Sequence, residues 1–349
     1  MSDDKTPYFI SDPEPVGDFS SAPFLKRHPD NPVLTKDDVP YPSHLVFNCS
    51  VLEENDGYLM IFRNDVFAQY GVPGRTETDF GLAHSEDGVN WEVEPKPVFD
   101  YRSETVSRVY DPRLIRLDGR YVLTCCAQTP KGPRAATFVT DDLRDFELIE
   151  LSLPASRNTL LFPEKMAGKY WRLERPFWQG PDAYAYYYGK WFGPTFDIWV
   201  SSSPDMEHWG HYKLLIETDQ IPYANIKIGP GAPPIRTEEG WLLLIHGVDF
   251  DASRGKNGWE DRWPQRYHAG VALLDREDPT RLIGLGRTPL ITPEAKYEVA
   301  GGYRNNVVFP MTGLVQPDGN VMIYYGAADA VIALATAPLD ELLELCEPI

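Results

Sequence analysis

Short apolar runs alternate with polar turns along the whole chain, and five segments share one form. They read VFNCSVLEENDGYLMIFR (46–63), RVYDPRLIRLDGRY and onward (108–125), NTLLFPEKMAGKYWRLER (158–175), GPGAPPIRTEEGWLLLIH (229–246) and NVVFPMTGLVQPDGNVMIYYG (306–326). Each predicts an ascending strand, a polar turn ending in glycine, and an apolar strand back. The turn glycines are Gly57, Gly119, Gly168, Gly240 and Gly319. Glycine belongs there because tight hairpin turns need positive φ. A second unit follows each hairpin: LAHSEDGVNWEV, FVTDDLRDFEL, IWVSSSPDMEHW, VALLDREDPTRL and LATAPLDELLEL. Each predicts a short strand, a turn and one further strand. Five hairpins with five outer units make five four-stranded antiparallel sheets. One such sheet cannot bury both faces, whereas five packed radially can. The chain is therefore expected to be all-β: a single five-bladed β-propeller over 1–349, with roughly the first 25 residues as an extension. A pair of β-sandwiches accounts for the five-fold recurrence less well. Little helix is expected beyond LDELLELC near the C-terminus.

In a propeller the innermost strands line the axis. The start of each first strand then lies beside the end of the second, opposite the turn. Counting back from the turn glycines gives Asn48, Asp111, Asn158, Gly231 and Phe309. Counting forward gives Arg63, Cys125, Arg175, His246 and Tyr325. These ten positions are expected to ring one mouth of the axis. Arg113, Arg157, Lys227, Asp329 and the run GYRNN (302–306) fall nearby. The aromatic residues Tyr110, Trp171, Phe177, Trp178, Trp241, Tyr267 and Tyr303 are expected close by. Aromatic faces beside planar polar groups suit a sugar ring, which shows C–H on its face and hydroxyls at its edge.

Composition sharpens this picture. The chain has 349 residues, 13% of them aromatic, with 27 Gly and 32 Pro, which fits many short strands and tight turns. The formal net charge of −19 works against binding nucleic acid or an anionic membrane. Such a protein must concentrate positive charge locally if it is to bind an anion. Cys49, Cys125, Cys126 and Cys346 have no metal-site spacing and are expected to be reduced, buried thiols. The seven histidines show no metal triad, and no nucleotide loop, zinc-protease helix or serine nucleophile elbow occurs. No cofactor is expected. The N-terminus MSDDKTPYF lacks a signal-peptide pattern. No apolar run approaches the ~18 residues that span a bilayer. A soluble cytoplasmic protein is expected.

The motifs VFNCSV, FRND, YDPRL, RNTLLFPEK, RLERPF, KIGPGAPPI, SRGKNGW, RNNVVFP and YYGAAD together resemble glycoside hydrolase family 130, over nearly the whole chain. That family consists of five-bladed propellers, mostly inverting phosphorylases of β-mannosides, with a minority of β-mannosidases. KNGWE and RLERPFW look most like the branch acting on β-1,4-mannosyl-glucose. The resemblance implies that Asp111 is the general acid. It implies a phosphate site made of Arg157, Asn158, Arg175, Lys227, His246 and Tyr267, and sugar contacts from Asn48, Arg63, Asn306 and Asp329. Tyr110 and Arg304 are assigned to the sugar as well, from their place beside the ring. It also implies a homo-oligomer.

An inverting hydrolase needs a second carboxylate as base, about 6.5–9.5 Å from the acid. A phosphorylase needs a cationic pocket instead, because phosphate is already a nucleophile. The cluster Arg157, Asn158, Arg175, Lys227 and His246 favours phosphorolysis, with inorganic phosphate as co-substrate. The expected reaction converts β-1,4-mannosyl-glucose to α-mannose 1-phosphate and glucose. The alternatives are a β-1,4-mannooligosaccharide phosphorylase, a β-mannosidase on the same fold, or a non-catalytic carbohydrate-binding propeller. Burial should raise the pKa of Asp111, while Arg113 opposes this. Segments 66–78, 177–195 and 249–266 are expected to set the choice of acceptor, and GVDFDASRGKNGWEDRW is expected to wall the acceptor site.

Overall fold

The protein is described by a computed structural model for residues 13–54, 57–68, 76–153, 155–176, 196–254 and 264–349. Five antiparallel sheets are arranged as a five-bladed β-propeller. The first blade holds Leu45–Glu54, Gly57–Ala68, Thr76–Ser85 and Glu92–Val93. The second holds Arg108–Leu117, Arg120–Thr129, Gly132–Thr140 and Glu147–Leu151. The third holds Ser156–Leu161, Tyr170–Pro176, Ile198–Ser203 and Gly210–Ile216. All five turn glycines adopt positive φ, from 72° at Gly168 to 154° at Gly240.

Two blades depart from the simple repeat. In the fourth, the first strand is split into Lys227–Pro230 and Ile235–Arg236, both paired with Trp241–Phe250. Pro233 and Pro234 fall in the gap, where their missing N–H groups interrupt the ladder. Gln265–Leu274 and Leu282–Gly286 follow, and Cys346–Pro348 adds one more strand at the edge. The fifth blade holds Val308–Val315, Asn320–Ala327 and Val331–Pro338. Its fourth strand does not come from LATAPLDELLEL, which runs into a helix at Leu339–Glu344. Lys26–Arg27 supplies it instead, pairing with Ala335 and Thr336. The two ends of the chain thus close the ring, which a reading confined to consecutive segments misses.

The strands read as nearly continuous apolar runs because both faces of a blade are buried. Leu59 and Ile61 face the second blade, whereas Met60 and Phe62 face the fifth. Trp241, Leu243 and Ile245 face the third blade, whereas Leu242 and Leu244 face the fifth. The period of two therefore divides each strand between two cores. Five such cores, one between each neighbouring pair of blades, hold the ring. Near the axis the first strands bond to one another: the Ser50 hydroxyl meets Leu114, and Val51 N–H donates to Thr312.

The closing strand is held by charge as well as by the ladder. Arg27 Nε donates to Glu298 Oε1 at 2.8 Å and Nη2 to Oε2 at 3.0 Å. The Glu298 side chain is fully buried and also accepts from the Tyr325 hydroxyl at 2.8 Å. Removing the arginine would strand a buried carboxylate. Arg27→Ala is expected to destabilise the fold by roughly 3 kcal/mol. The measurement is the denaturant midpoint, with the exposed neighbour variant Lys26→Ala as the near-neutral control.

Candidate functional site

Three inner strands begin with the same distortion. The pairing register slips between Phe47 and Cys49, between Tyr110 and Arg113, and between Arg157 and Leu160. The bulged residues Asn48, Asp111 and Asn158 have φ of 53°, 59° and 56°. A bulge turns the extra residue out of the ladder and re-aims its side chain. Left-handed backbone costs about 1–3 kcal/mol for a non-glycine residue. Asn and Asp tolerate it best because their short side chains bond locally. A carboxylate can therefore open a buried strand here, at the mouth rather than in the ladder.

Asp111 has 6% of its side chain exposed. Its Oδ1 accepts from Asn48 Nδ2 at 2.8 Å and from Arg63 Nη1 at 2.9 Å. Arg157 Nη2 stands 3.6 Å from Oδ2. Beneath it, Arg113 donates through Nη1 to the Asp111 carbonyl and through Nε to the Gly231 carbonyl, each at 3.0 Å. Burial pushes the Asp111 carboxyl up, but Arg63, Arg157 and Arg113 outweigh burial and hold it well below the usual carboxylate range. The competition that the sequence left open is thus resolved in favour of the cations, and the carboxyl is ionised. Tyr110 lies under this group, 5.2 Å from both the Arg63 and the Arg157 guanidinium.

The neighbouring half of the mouth is built on His246. Its Nε2 accepts from Arg175 Nη1 at 3.1 Å and faces Asn158 Nδ2 at 3.4 Å. Arginine can only donate, so the ring proton sits on Nδ1. Burial, then Arg175 and Lys227, push the His246 pKa well below its ordinary value, so the ring is neutral. It stacks on Tyr267 at 6.0 Å and tilts against Phe309 at 4.6 Å. Lys227 Nζ stands 4.8 Å from the Tyr267 ring centre. Burial, then Arg175, Arg157 and Arg304, push the Lys227 pKa well below its ordinary value. Cations here repel one another in a poorly solvated place, an arrangement that an anion relieves.

The remaining predicted residues join from the fifth blade and the segment before it. Arg304 Nη1 stands 3.3 Å from Asp329 Oδ2, and its guanidinium lies 5.1 Å from the Tyr303 ring. Asn306, at φ 61°, accepts the Tyr267 N–H on its carbonyl at 3.0 Å. Three further carboxylates at this end are each held by arginine. Asp65 is bound by Arg63, Asp249 by Arg254 and Arg266, and Asp329 by Arg304.

The expected ring is wrong at two positions. Cys125 lies in the core between the first two blades, and Tyr325 points between the fourth and fifth blades toward Glu298. The bulges explain both, because a one-residue slip turns every later side chain to the other face. Tyr110 pairs with Cys126 and Phe309 with Gly326. Trp171 and Trp241 also fail to reach the mouth: they sit at the turn end of their hairpins. Trp171 donates to the Met166 carbonyl, and Trp241 packs edge-on against Phe162. Phe177, Trp178 and the motif KNGWE lie outside the described residues, as do 69–75, all of 177–195 and 255–263.

Two glycines that periodicity did not mark shape the mouth. A Cβ on Gly326 would stand 2.2 Å from Asn48 Oδ1, and one on Gly229 would stand 2.5 Å from His246 Cε1. Asp65 was missed too, although its position two residues after Arg63 placed both on one strand face.

Comparison with known proteins finds similar chains of the same fold. The glycoside hydrolase family 130, described as beta-1,4-mannooligosaccharide phosphorylase, matches residues 23–348. The chain is 29% identical to a beta-1,4-mannooligosaccharide phosphorylase of Ruminococcus albus, over 91% of this chain and 89% of that one. It is 30% identical to a 1,2-beta-oligomannan phosphorylase of Thermoanaerobacter, over 91% and 98%. Among solved structures, the beta-1,2-mannobiose phosphorylase of Listeria innocua superposes with a TM-score of 0.76 at 25% identity, covering 92% of this chain and 99% of that one.

The close approach at Gly229 allows a test of whether these cations hold an anion. Gly229→Ala should displace the His246 ring and weaken binding of inorganic phosphate at least about tenfold, a loss of ~1.4 kcal/mol. Titration calorimetry of the folded variant reads this directly.

Proposed function

The chain belongs to glycoside hydrolase family 130, and on that premise we propose that it catalyses inverting phosphorolysis of β-1,4-mannosyl-glucose to α-mannose 1-phosphate and glucose. The observation that carries the reading is the crowding of Arg157, Arg175 and Lys227 beside Asp111, with Lys227 held below its ordinary pKa by burial and its cationic neighbours. Phosphate binds among Arg157, Asn158, Arg175, Lys227, His246 and Tyr267. The mannosyl ring lies over Asp111, contacted by Asn48, Arg63, Tyr110, Arg304, Asn306 and Asp329. A phosphate oxygen attacks the anomeric carbon as the bond to the glucose O4 breaks. The proton of Asp111 reaches that O4 directly or through the mannose 3-hydroxyl. A single displacement inverts the anomeric centre. Among the described residues, Asp65, Asp249 and Asp329 are each engaged by arginine, which disfavours them as a base that activates water.

The glucose assignment rests on the motifs RLERPFW and KNGWE. A second reading, a mannooligosaccharide in place of mannosyl-glucose, is favoured by the description of the family and by the Ruminococcus relative. Incubation with β-1,4-mannosyl-glucose, β-1,4-mannobiose and β-1,2-mannobiose, with and without phosphate, separates them. The expected result is α-mannose 1-phosphate, only with phosphate, and fastest from mannosyl-glucose. Free mannose regardless of phosphate would identify a hydrolase, and binding without turnover would identify a carbohydrate-binding propeller. Asp111→Asn should lower phosphorolysis by roughly 10²–10⁴-fold.

The ionised state of Asp111 adds a pH signature. An acid must hold its proton before it can give it. Phosphate on Arg157 sets a negative charge against the cation that now faces Asp111, so the pKa of Asp111 rises on binding. A pKa higher in the complex than in the free protein means proton uptake on binding. Phosphate affinity therefore falls as pH rises through that window. Calorimetry in buffers of different ionisation enthalpy should show greater proton uptake for the wild type than for Asp111→Asn. Equal uptake would place the proton elsewhere.

A further inference from the structure

A buried charge network runs from Asp111 back into the first blade. Arg63 spends its three nitrogens in two directions. Nε and Nη2 donate to Asp65 Oδ1 and Oδ2 at 2.9 and 2.8 Å, while Nη1 donates to Asp111 Oδ1 at 2.9 Å. The Phe47 and Tyr110 rings flank the guanidinium at 4.3 and 5.2 Å. Asp65 is fully buried, and Thr78 Oγ1 donates to its Oδ1 at 2.7 Å. Arg108 Nη1 donates in turn to Thr78 Oγ1 at 3.1 Å. A fork gripped at two of its three nitrogens by one carboxylate cannot rotate, so the third nitrogen has a fixed aim.

We propose that Asp65 is a positioning residue that locks Arg63 onto Asp111 and balances its charge, so that Asp111 can accept the proton it must later donate. This rests on the reading of Asp111 as the acid.

The argument is electrostatic as well as geometric. Asp111 is faced by Asn48 and Arg63 from the first blade and by Arg157 from the third. Its own strand adds Arg113 and Tyr110, and the paired strand adds the buried thiols Cys125 and Cys126. Asp65 is faced by Arg63, Thr78 and, at longer range, Arg108 and Asp79. With Asp65 in place, Arg63 carries its own counter-charge, which opposes part of the positive field that Arg63 sets on Asp111. Without that counter-charge, the full positive field of Arg63 falls on Asp111 and stabilises its ionised form further. The substrate sees none of this directly, since Asp65 lies behind Arg63 and has no exposed side-chain surface.

The test is the pH profile of phosphorolysis for the wild type, Asp65→Asn, Asp65→Glu and Asp111→Asn. A general acid loses activity as pH rises through its pKa in the complex. In Asp65→Asn this basic limb should move to lower pH by roughly one unit, so that activity above the limb falls about tenfold and recovers on acidification. Asp65→Glu keeps the charge and should keep the limb within ~0.3 units of wild type even if kcat falls. A purely structural role would lower kcat and the melting temperature in both variants with no movement of the limb, and that outcome overturns the proposal. If Asp65→Asn does not fold, Asp65→Glu decides alone: a limb displaced despite the retained charge refutes charge balance. Loss of the wild-type limb in Asp111→Asn confirms the acid itself. A limb that survives in Asp111→Asn sinks the acid assignment and not merely the role of Asp65.

Discussion

Everything at the mouth depends on a backbone conformation that a regular strand excludes. Asn48, Asp111 and Asn158 open their strands in left-handed backbone, each at a slip in the ladder. A regular strand would alternate its side chains between the two inter-blade cores and offer none of them to the axis. The extra residue breaks that alternation once, and the freed side chain turns into the mouth. Asn306 and Asp329 use the same left-handed region on the opposite side. The strain is borne because five buried cores fix the rest of each strand.

Charge then acts within that frame. An acidic chain of net −19 gathers Arg63, Arg113, Arg157, Arg175, Lys227 and Arg304 at one end of its axis. Where a cation has a committed carboxylate, as Arg63 has Asp65, the pair is closed. Around Lys227 and His246 the balance is unfavourable, and both are pushed toward their neutral forms. The same field keeps Asp111 ionised. Asp111 and the cations around Lys227 are therefore one electrostatic unit, linked through Arg157.

Much of this was legible in the chain. The five glycine-ended turns fixed the hairpins, and counting along them reached Asn48, Arg63, Asp111, Asn158, Arg175 and His246. Motif resemblance gave Tyr267 and Lys227, already expected near the ring, their place in the phosphate site. The count failed at Cys125 and Tyr325 because a bulge inserts a residue that a strict period of two cannot foresee. It failed at Trp171 and Trp241 because aromatic character does not say which end of a hairpin a residue occupies.

The sequence by itself determined the blade repeat, the site end of each hairpin and the choice of residue types there, because these follow from local periodicity and turn chemistry. The tertiary structure alone decided how the ring closes, since Lys26–Arg27 joins a sheet whose other strands lie at the far end of the chain. It also decided the protonation state of Asp111. That state is a balance between burial and three arginines drawn from three separate strands, and such a sum exists only once the strands have met.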